Sequence, residues 1–180
     1  MGAEPGITMV LHTWGQDLSF HPHIHCIVSG GGFDGSKWKP AKRNNNRFLF
    51  PQTSLSKMYK AIMMKALKQN EQIKWADIEK TELLKAIGYK TWNVYAKAPF
   101  GGPGQVIEYL GRYTHKIAIT RHRIVEVTEK QIKFNYKDYA DGNKVKSLWL
   151  NHEEFLRRFE LHILPKQFAK IRHAGFKKQR

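Results

Sequence analysis

Two runs with a period of two, joined by a short polar turn, constrain this chain most. Residues 7–14 read ITMVLHTW, residues 22–28 read PHIHCIV, and the loop 15–20 lies between them. Alternate side chains of a strand share a face, so each run reads as a strand. In the second, His23 and His25 point one way, and Ile24, Cys26 and Val28 the other. The apolar side can then pack on helices while the histidines face a site. Gly30, Gly31 and Gly32 end the run, a pattern that suits a plain turn or a close backbone approach to a ligand.

Two imidazoles at this spacing can share one metal ion, with nitrogen–metal bonds of about 2.1 Å. His12, in the first strand, is available as a third ligand. If the strands pair antiparallel, setting residue 12 opposite 23 or 25 leaves a loop centred on Asp17 and Leu18. Cross-strand Cβ atoms then lie about 5 Å apart. Gln16 and His21 are weaker alternatives, and Asp17 could orient a ligand through a hydrogen bond.

Further along, short strands are expected around a basic loop at 37–50 that contains Lys42 and Arg43. A helix is predicted over 54–69, with Thr53 or Ser54 as its cap. DIEKTELLKAIGY reads as a second helix ending at Gly88, and KTWNVYAKA alternates as a strand. FGGPGQ at 100–105 breaks the chain, and a helix follows from about Val106. KIAIT, RIVEVTE, QIKFNYK and KVKSLWL read as short strands, with YADGN as a hairpin turn. Asn151 caps a last helix, which Pro165 stops. The fold class is α+β, with a mostly antiparallel central sheet flanked by helices.

Charge narrows the partner. Among 180 residues, 31 Lys and Arg face 15 Asp and Glu, a net charge of +16. That excess favours a polyanion, nucleic acid before an anionic membrane. No apolar run approaches the length of a membrane span, and residues 1–12 lack the regions of a signal peptide. Cys26 is the sole cysteine. It excludes an intrachain disulfide and a cysteine-based zinc module, which suits a reducing, cytoplasmic setting.

The predicted helix after the glycines reads QVIEYLGRYTHKI. Tyr109 and Tyr113, four apart, lie one above the other, with Arg112 and Lys116 on the same arc. Val106, Ile107, Leu110 and Ile117 form an apolar stripe that would hold the helix to the sheet, with Glu108 and His115 outside. Tyrosine can act as a covalent nucleophile. With a pKa near 10, it needs a cationic or metal-rich setting to attack phosphate. Packing on the core is the competing role for both rings.

Taken together, these motifs resemble the two-tyrosine HUH transposases of rolling-circle insertion sequences, relatives of relaxases, replication initiators and Helitron enzymes. HUH denotes His-hydrophobic-His, here His23-Ile24-His25. LHTWGQDLSFHPHIHCIVSGGG is similar to that family's metal motif, EYLGRYTHKIAI to its tyrosine motif, and LHILPKQFAKIRHAGF to a late segment, in the expected order. The resemblance implies single-stranded or hairpin DNA nicking and joining with Mg²⁺ or Mn²⁺, through a 5′-phosphotyrosine. His12, His23 and His25 match the metal ligands, and Tyr109 and Tyr113 the nucleophiles. Arg112, Lys116, Lys42 and Arg43 are expected on DNA. The family fold puts the histidines on a central strand. Residues 1–165 are expected to form the catalytic domain and 166–180 a basic tail. The family's cysteine-rich zinc-binding region has no counterpart in the eleven residues before His12, so a fragment is expected.

Overall fold

A computed structural model of the chain describes residues 2–41, 50–73, 79–114 and 117–176, with the backbone alone for 112–114. The described chain divides into two compact units. One comprises Pro40–Pro99, the other Gly2–Lys39 and Phe100–Arg180. Both histidine motif and tyrosine helix belong to the second.

Strands β1 (Ile7–Trp14) and β2 (Phe20–Val28) form the expected antiparallel hairpin, with His12 opposite His23 and Val10 opposite His25. This register puts Val10, His12, His23 and His25 on one face. The other side of β1 pairs with β8 (Ile171–Ala174), so the sheet order is β2-β1-β8. Among the described residues, the central strand is therefore β1, which carries His12. The His-x-His pair sits on its neighbour at the edge, not on a central strand. Residues 171–174 of the expected tail are built into this sheet.

The exposure of the two faces reverses the expectation for β2. Ile24, Cys26 and Val28 are exposed, while His23 and His25 are half-buried and His12 is buried. The reason is the helix α3 (Pro103–Thr114), whose Tyr109 reaches the histidine face. The glycines do not form a plain turn. Gly31–Phe33 is a short strand, β3, paired with β4 (Trp38–Pro40) and bridged to Glu4. A Cβ on Gly31 would meet the Lys39 carbonyl at 2.5 Å, and one on Gly32 the Glu4 carbonyl at 2.7 Å. Close backbone packing requires Gly31 and Gly32.

A second antiparallel sheet contains β5 (Ile124–Val127), β6 (Gln131–Asp138) and β7 (Lys144–Asn151), in that order. Its inner face packs on α4 (His152–Glu160), where Phe134, Leu150 and Phe155 form a core with Ala118 and Ile119. Residues 117–120 of the expected strand KIAIT are irregular, because Ala118 and Ile119 enter this core rather than a ladder. Asn151 caps α4 as expected, accepting from the Glu154 amide at 2.7 Å.

The sixth member of that core is Leu18, from the turn between β1 and β2. Leu18 is fully buried and has φ +62°. A left-handed backbone costs a non-glycine residue about 1–2 kcal/mol, and full burial of a leucine returns about 1.5–3 kcal/mol, so burial can outweigh the strain. The turn's carbonyls are also held: Arg123 donates to Gln16, Arg158 to Asp17 at 3.1 Å, and buried His162 to Leu18 at 3.1 Å. The other nitrogen of His162 bonds the Thr13 hydroxyl at 3.2 Å.

In the Pro40–Pro99 unit, α1 (Gln52–Gln69) begins two residues before the expected start. Pro51 occupies the N-cap position, and neither Thr53 nor Ser54 caps the helix. Helix α2 spans Lys80–Tyr89, with Gly88 inside it. Residues 91–100 form no strand. Their alternation has a different cause: side chains of α1 replace a ladder partner. Gln52 donates to the Ala96 carbonyl, Ser56 to Trp92 and Lys60 to Lys90. The three donors recur every four residues, on one helix face.

Two outcomes test this fold. Leu18→Ala should lower stability by about 3 kcal/mol, read from the urea midpoint. Glu154 is held down to about 2 by hydrogen bonds from Arg157 and then Arg158. A depressed carboxylate contributes stability above its ordinary 4.5 and loses it as pH falls towards 2. Glu154→Gln should therefore flatten the loss of stability across that acid window in pH-dependent denaturation.

Candidate functional site

The antiparallel register brings together three imidazoles that are eleven and thirteen residues apart in sequence. His12, His23 and His25 each offer a nitrogen, and these atoms all lie within 4.8 Å of one another. Neighbouring ligands on one ion at about 2.1 Å sit about 3–3.6 Å apart, so binding would draw the rings together by side-chain rotation. Among the described residues no carboxylate belongs to the cluster, so the donor set they offer is imidazole.

Neighbouring groups orient the rings. His23 Nδ1 lies 2.7 Å from the His21 carbonyl. A carbonyl only accepts, so Nδ1 carries the proton and Nε2 the lone pair that a cation needs. His12 stacks on Trp14, with ring centres 4.7 Å apart and planes 15° from parallel. Its ring meets those of His25 and His23 edge-on, at 4.6 and 5.5 Å. Lys170 Nζ stands 5.1 Å from the centre of the Trp14 ring. Burial pushes the Lys170 ammonium pKa down.

Helix α3 supplies the remaining group. The Tyr109 hydroxyl lies 3.0 Å from His25 Nδ1, and Phe100 packs edge-on against the Tyr109 ring at 5.3 Å. Gln105 ties the helix start by accepting from the Gly101 amide at 2.8 Å. The expected stripe is only partly formed: Val106 and Leu110 are half-buried, but Ile107 and Ile117 are exposed. Tyr113 and Arg112 lie on the helical backbone, and their side chains fall outside the described residues, as do Lys116, Lys42 and Arg43.

The weaker ligand candidates go elsewhere. Gln16 donates to the Tyr139 hydroxyl at 3.4 Å, and Asp17 accepts from Ser19 within the turn. His21 is exposed; its carbonyl accepts from His23, and its ring lies tilted against the His23 ring at 5.1 Å, outside the three-nitrogen cluster. Trp92 packs on Tyr59, and Trp38 on Phe176. Sequence reasoning missed Lys170 and His162. The four-residue strand beside Lys170 is too short to show a period, and only three-dimensional pairing brings Thr13 to His162.

The described residues include no helix long and apolar enough to cross a membrane. Residues 6–180 match the family model Y2_Tnp, described as "Putative transposase". A "Putative transposase y4qJ" of Sinorhizobium fredii is 39% identical over 189 residues, covering 98% of this chain and 47% of that protein. A "Transposase for insertion sequence element IS801" of Pseudomonas savastanoi pv. phaseolicola is 27% identical over 183 residues, covering 97% of this chain and 44% of its own length. The chain thus spans about half the length of the curated relatives it matches. No solved structure matches it. With the family match running through the histidine strands, α3 and β8 alike, the chain belongs to the Y2 transposase family.

Proposed function

We propose that this chain carries the nicking and joining centre of a transposase acting on single-stranded or hairpin DNA. The observation that carries the reading is the 3.0 Å contact between the Tyr109 hydroxyl and His25, one of the three clustered histidines. It sets a candidate nucleophile beside a candidate metal site. His12, His23 and His25 would hold Mg²⁺ or Mn²⁺. The all-imidazole set suits Mn²⁺ better, because Mg²⁺ favours oxygen ligands. When bound, the ion would polarise a phosphate oxygen and offset developing charge.

The protein's own groups then have separate tasks. If His25 Nε2 held the ion, Nδ1–H would donate to the phenol oxygen, 3.0 Å away. A hydrogen bond received by that oxygen favours the phenolate. The phenol oxygen gives up its proton and attacks phosphorus, the bond to the 3′ oxygen breaks, and that oxygen takes up one proton through solvent and leaves as a hydroxyl, so the step is proton-neutral. A 5′-phosphotyrosine remains. Another 3′-hydroxyl reverses the step and joins a new strand, so no nucleotide cofactor is consumed. Tyr109 and Tyr113, one helical turn apart, would allow two successive transfers. Arg112, Lys116, Lys42 and Arg43 are assigned to the DNA backbone.

A water-using phosphodiesterase would share the histidines without needing tyrosine. A binding module would need neither. Incubation with 5′- and 3′-labelled single strands and Mn²⁺ separates them: the proposed enzyme gives an adduct that survives denaturant. His23→Ala, His25→Ala and His12→Ala should each abolish the adduct and weaken Mn²⁺ binding by calorimetry. Full cleavage in EDTA would end the metal assignment. Tyr109→Phe and Tyr113→Phe should each retain some nicking or joining, and the double variant none. Phe keeps the ring packing, so the melting curve should hardly move. Cleavage by the double variant would leave the hydrolytic reading.

A further inference from the structure

The outer face of the β5-β6-β7 sheet takes no part in the core. Register puts Lys133 opposite Trp149, Asn135 opposite Ser147 and Lys137 opposite Val145. These residues alternate with Phe134, Tyr136, Leu148 and Leu150 on the inner side, so all six share the outer face. Trp149, Ser147, Val145 and Lys137 are exposed. Lys133 Nζ lies 5.2 Å from the centre of the Trp149 ring, and the Ser147 hydroxyl donates to Asn135 at 2.7 Å.

An exposed indole costs burial that a strand could have used, and a polar residue would serve solvent equally well. Three features of the face identify an occupant. Its aromatic surface is flat and sequence-tolerant towards any nucleobase. Its two lysines face one acid, Glu126, which lies opposite Lys133, so the balance is cationic. Around the indole its other members are mostly amides and a hydroxyl, with the exposed Val125 and Val145 apart on the two outer strands, so it lacks the continuous apolar core that a protein interface buries. Nearby acids do not cancel the lysines: Asp138 and Asp141 are engaged by Lys146 and Lys144. We propose that this face is a second nucleic-acid surface, on which a segment of unpaired strand stacks a base on Trp149 and lays its phosphates along Lys133 and Lys137. It is separate from the histidine cluster and needs no metal.

Fluorescence anisotropy with a labelled 30-nucleotide single strand, in EDTA, tests the surface independently of cleavage. Trp149→Ala should weaken binding about tenfold, and Trp149→Phe should restore most of the loss. The Lys133→Gln/Lys137→Gln pair should reduce the slope of log affinity against log salt by about 1.4. Irradiation of the unsubstituted chain with a bromodeoxyuridine strand should label the tryptic peptide Ser147–Arg157. This measurement does not depend on how the variants fold. Unchanged affinity in Trp149→Ala, or crosslinks confined to other peptides, would overturn the proposal, whatever the fate of the tyrosine chemistry.

Discussion

The turn between β1 and β2 is the joint on which the second unit depends. Its three consecutive carbonyls, from Gln16, Asp17 and Leu18, each accept from a side chain of another element: Arg123, Arg158 and His162. Buried carbonyls left unpaired cost about 1–3 kcal/mol each, so a turn entering a core must bring partners with it. Here the partners come from two places in sequence, Arg123 and the end of α4 with the residues just after it, both far from the turn. Leu18 supplies the apolar anchor, and its left-handed backbone lets the chain reverse while the side chain points inward. The histidine hairpin and the β5-β6-β7 layer are thereby one packed body rather than two neighbours.

The hairpin's register follows from that joint. A slip by one residue would move every side chain of β2 to the other face, exchanging His23 and His25 for Ile24 and Cys26. The shift between His12 and Trp14 absorbs the odd residue of the turn. It leaves Trp14 stacked on His12, and His162 within 6.1 Å of the Trp14 ring. Clamp and site are therefore consecutive contacts in one chain of packing. Glu154 extends it by one more step. The carboxylate aligns Arg158, which in turn holds Asp17, and the amide of the same residue is capped by Asn151.

What was legible in the sequence was local or periodic. The hairpin, the pairing of His12 with residue 23 or 25, the Asn151 cap and the turn before β7 all follow from patterns within some fifteen residues. Gly142 and Asn143 take the positive φ that such a turn requires. What failed depended on distant partners. KTWNVYAKA alternates, but its carbonyls are met by α1 rather than by a strand. Ile24 and Val28 look like a core face, but α3 approaches the opposite one. β8 is four residues long and holds Arg172 and His173, so nothing in its composition announces the third strand beside β1. The tyrosine helix was legible as a helix, while the contact of Tyr109 with His25 spans 84 residues and has no local signature.

The distribution of charge gives the site its character. The chain has few acids, and those with depressed pKa values are committed to structure. Asp34 holds a turn through the amides of Lys37 and Ser36, Asp17 binds Ser19, Asp138 and Asp141 bind Lys146, and Glu154 binds two arginines. Among the described residues, none of these joins the histidine cluster. Three neutral imidazoles leave a divalent ion its full double charge, whereas each carboxylate ligand would cancel one unit. In a protein of net charge +16, a cation at that position is costly to bind but strongly attractive to a phosphodiester. A phosphate oxygen would offset part of that cost by supplying a negative ligand beside the three imidazoles. On the proposed function, metal and DNA should therefore bind with positive coupling, each raising the other's affinity by the same factor. Calorimetric titration of Mn²⁺ with and without a saturating single strand measures this directly. Equal metal affinities in the two titrations would mean that the phosphate does not enter the ion's coordination.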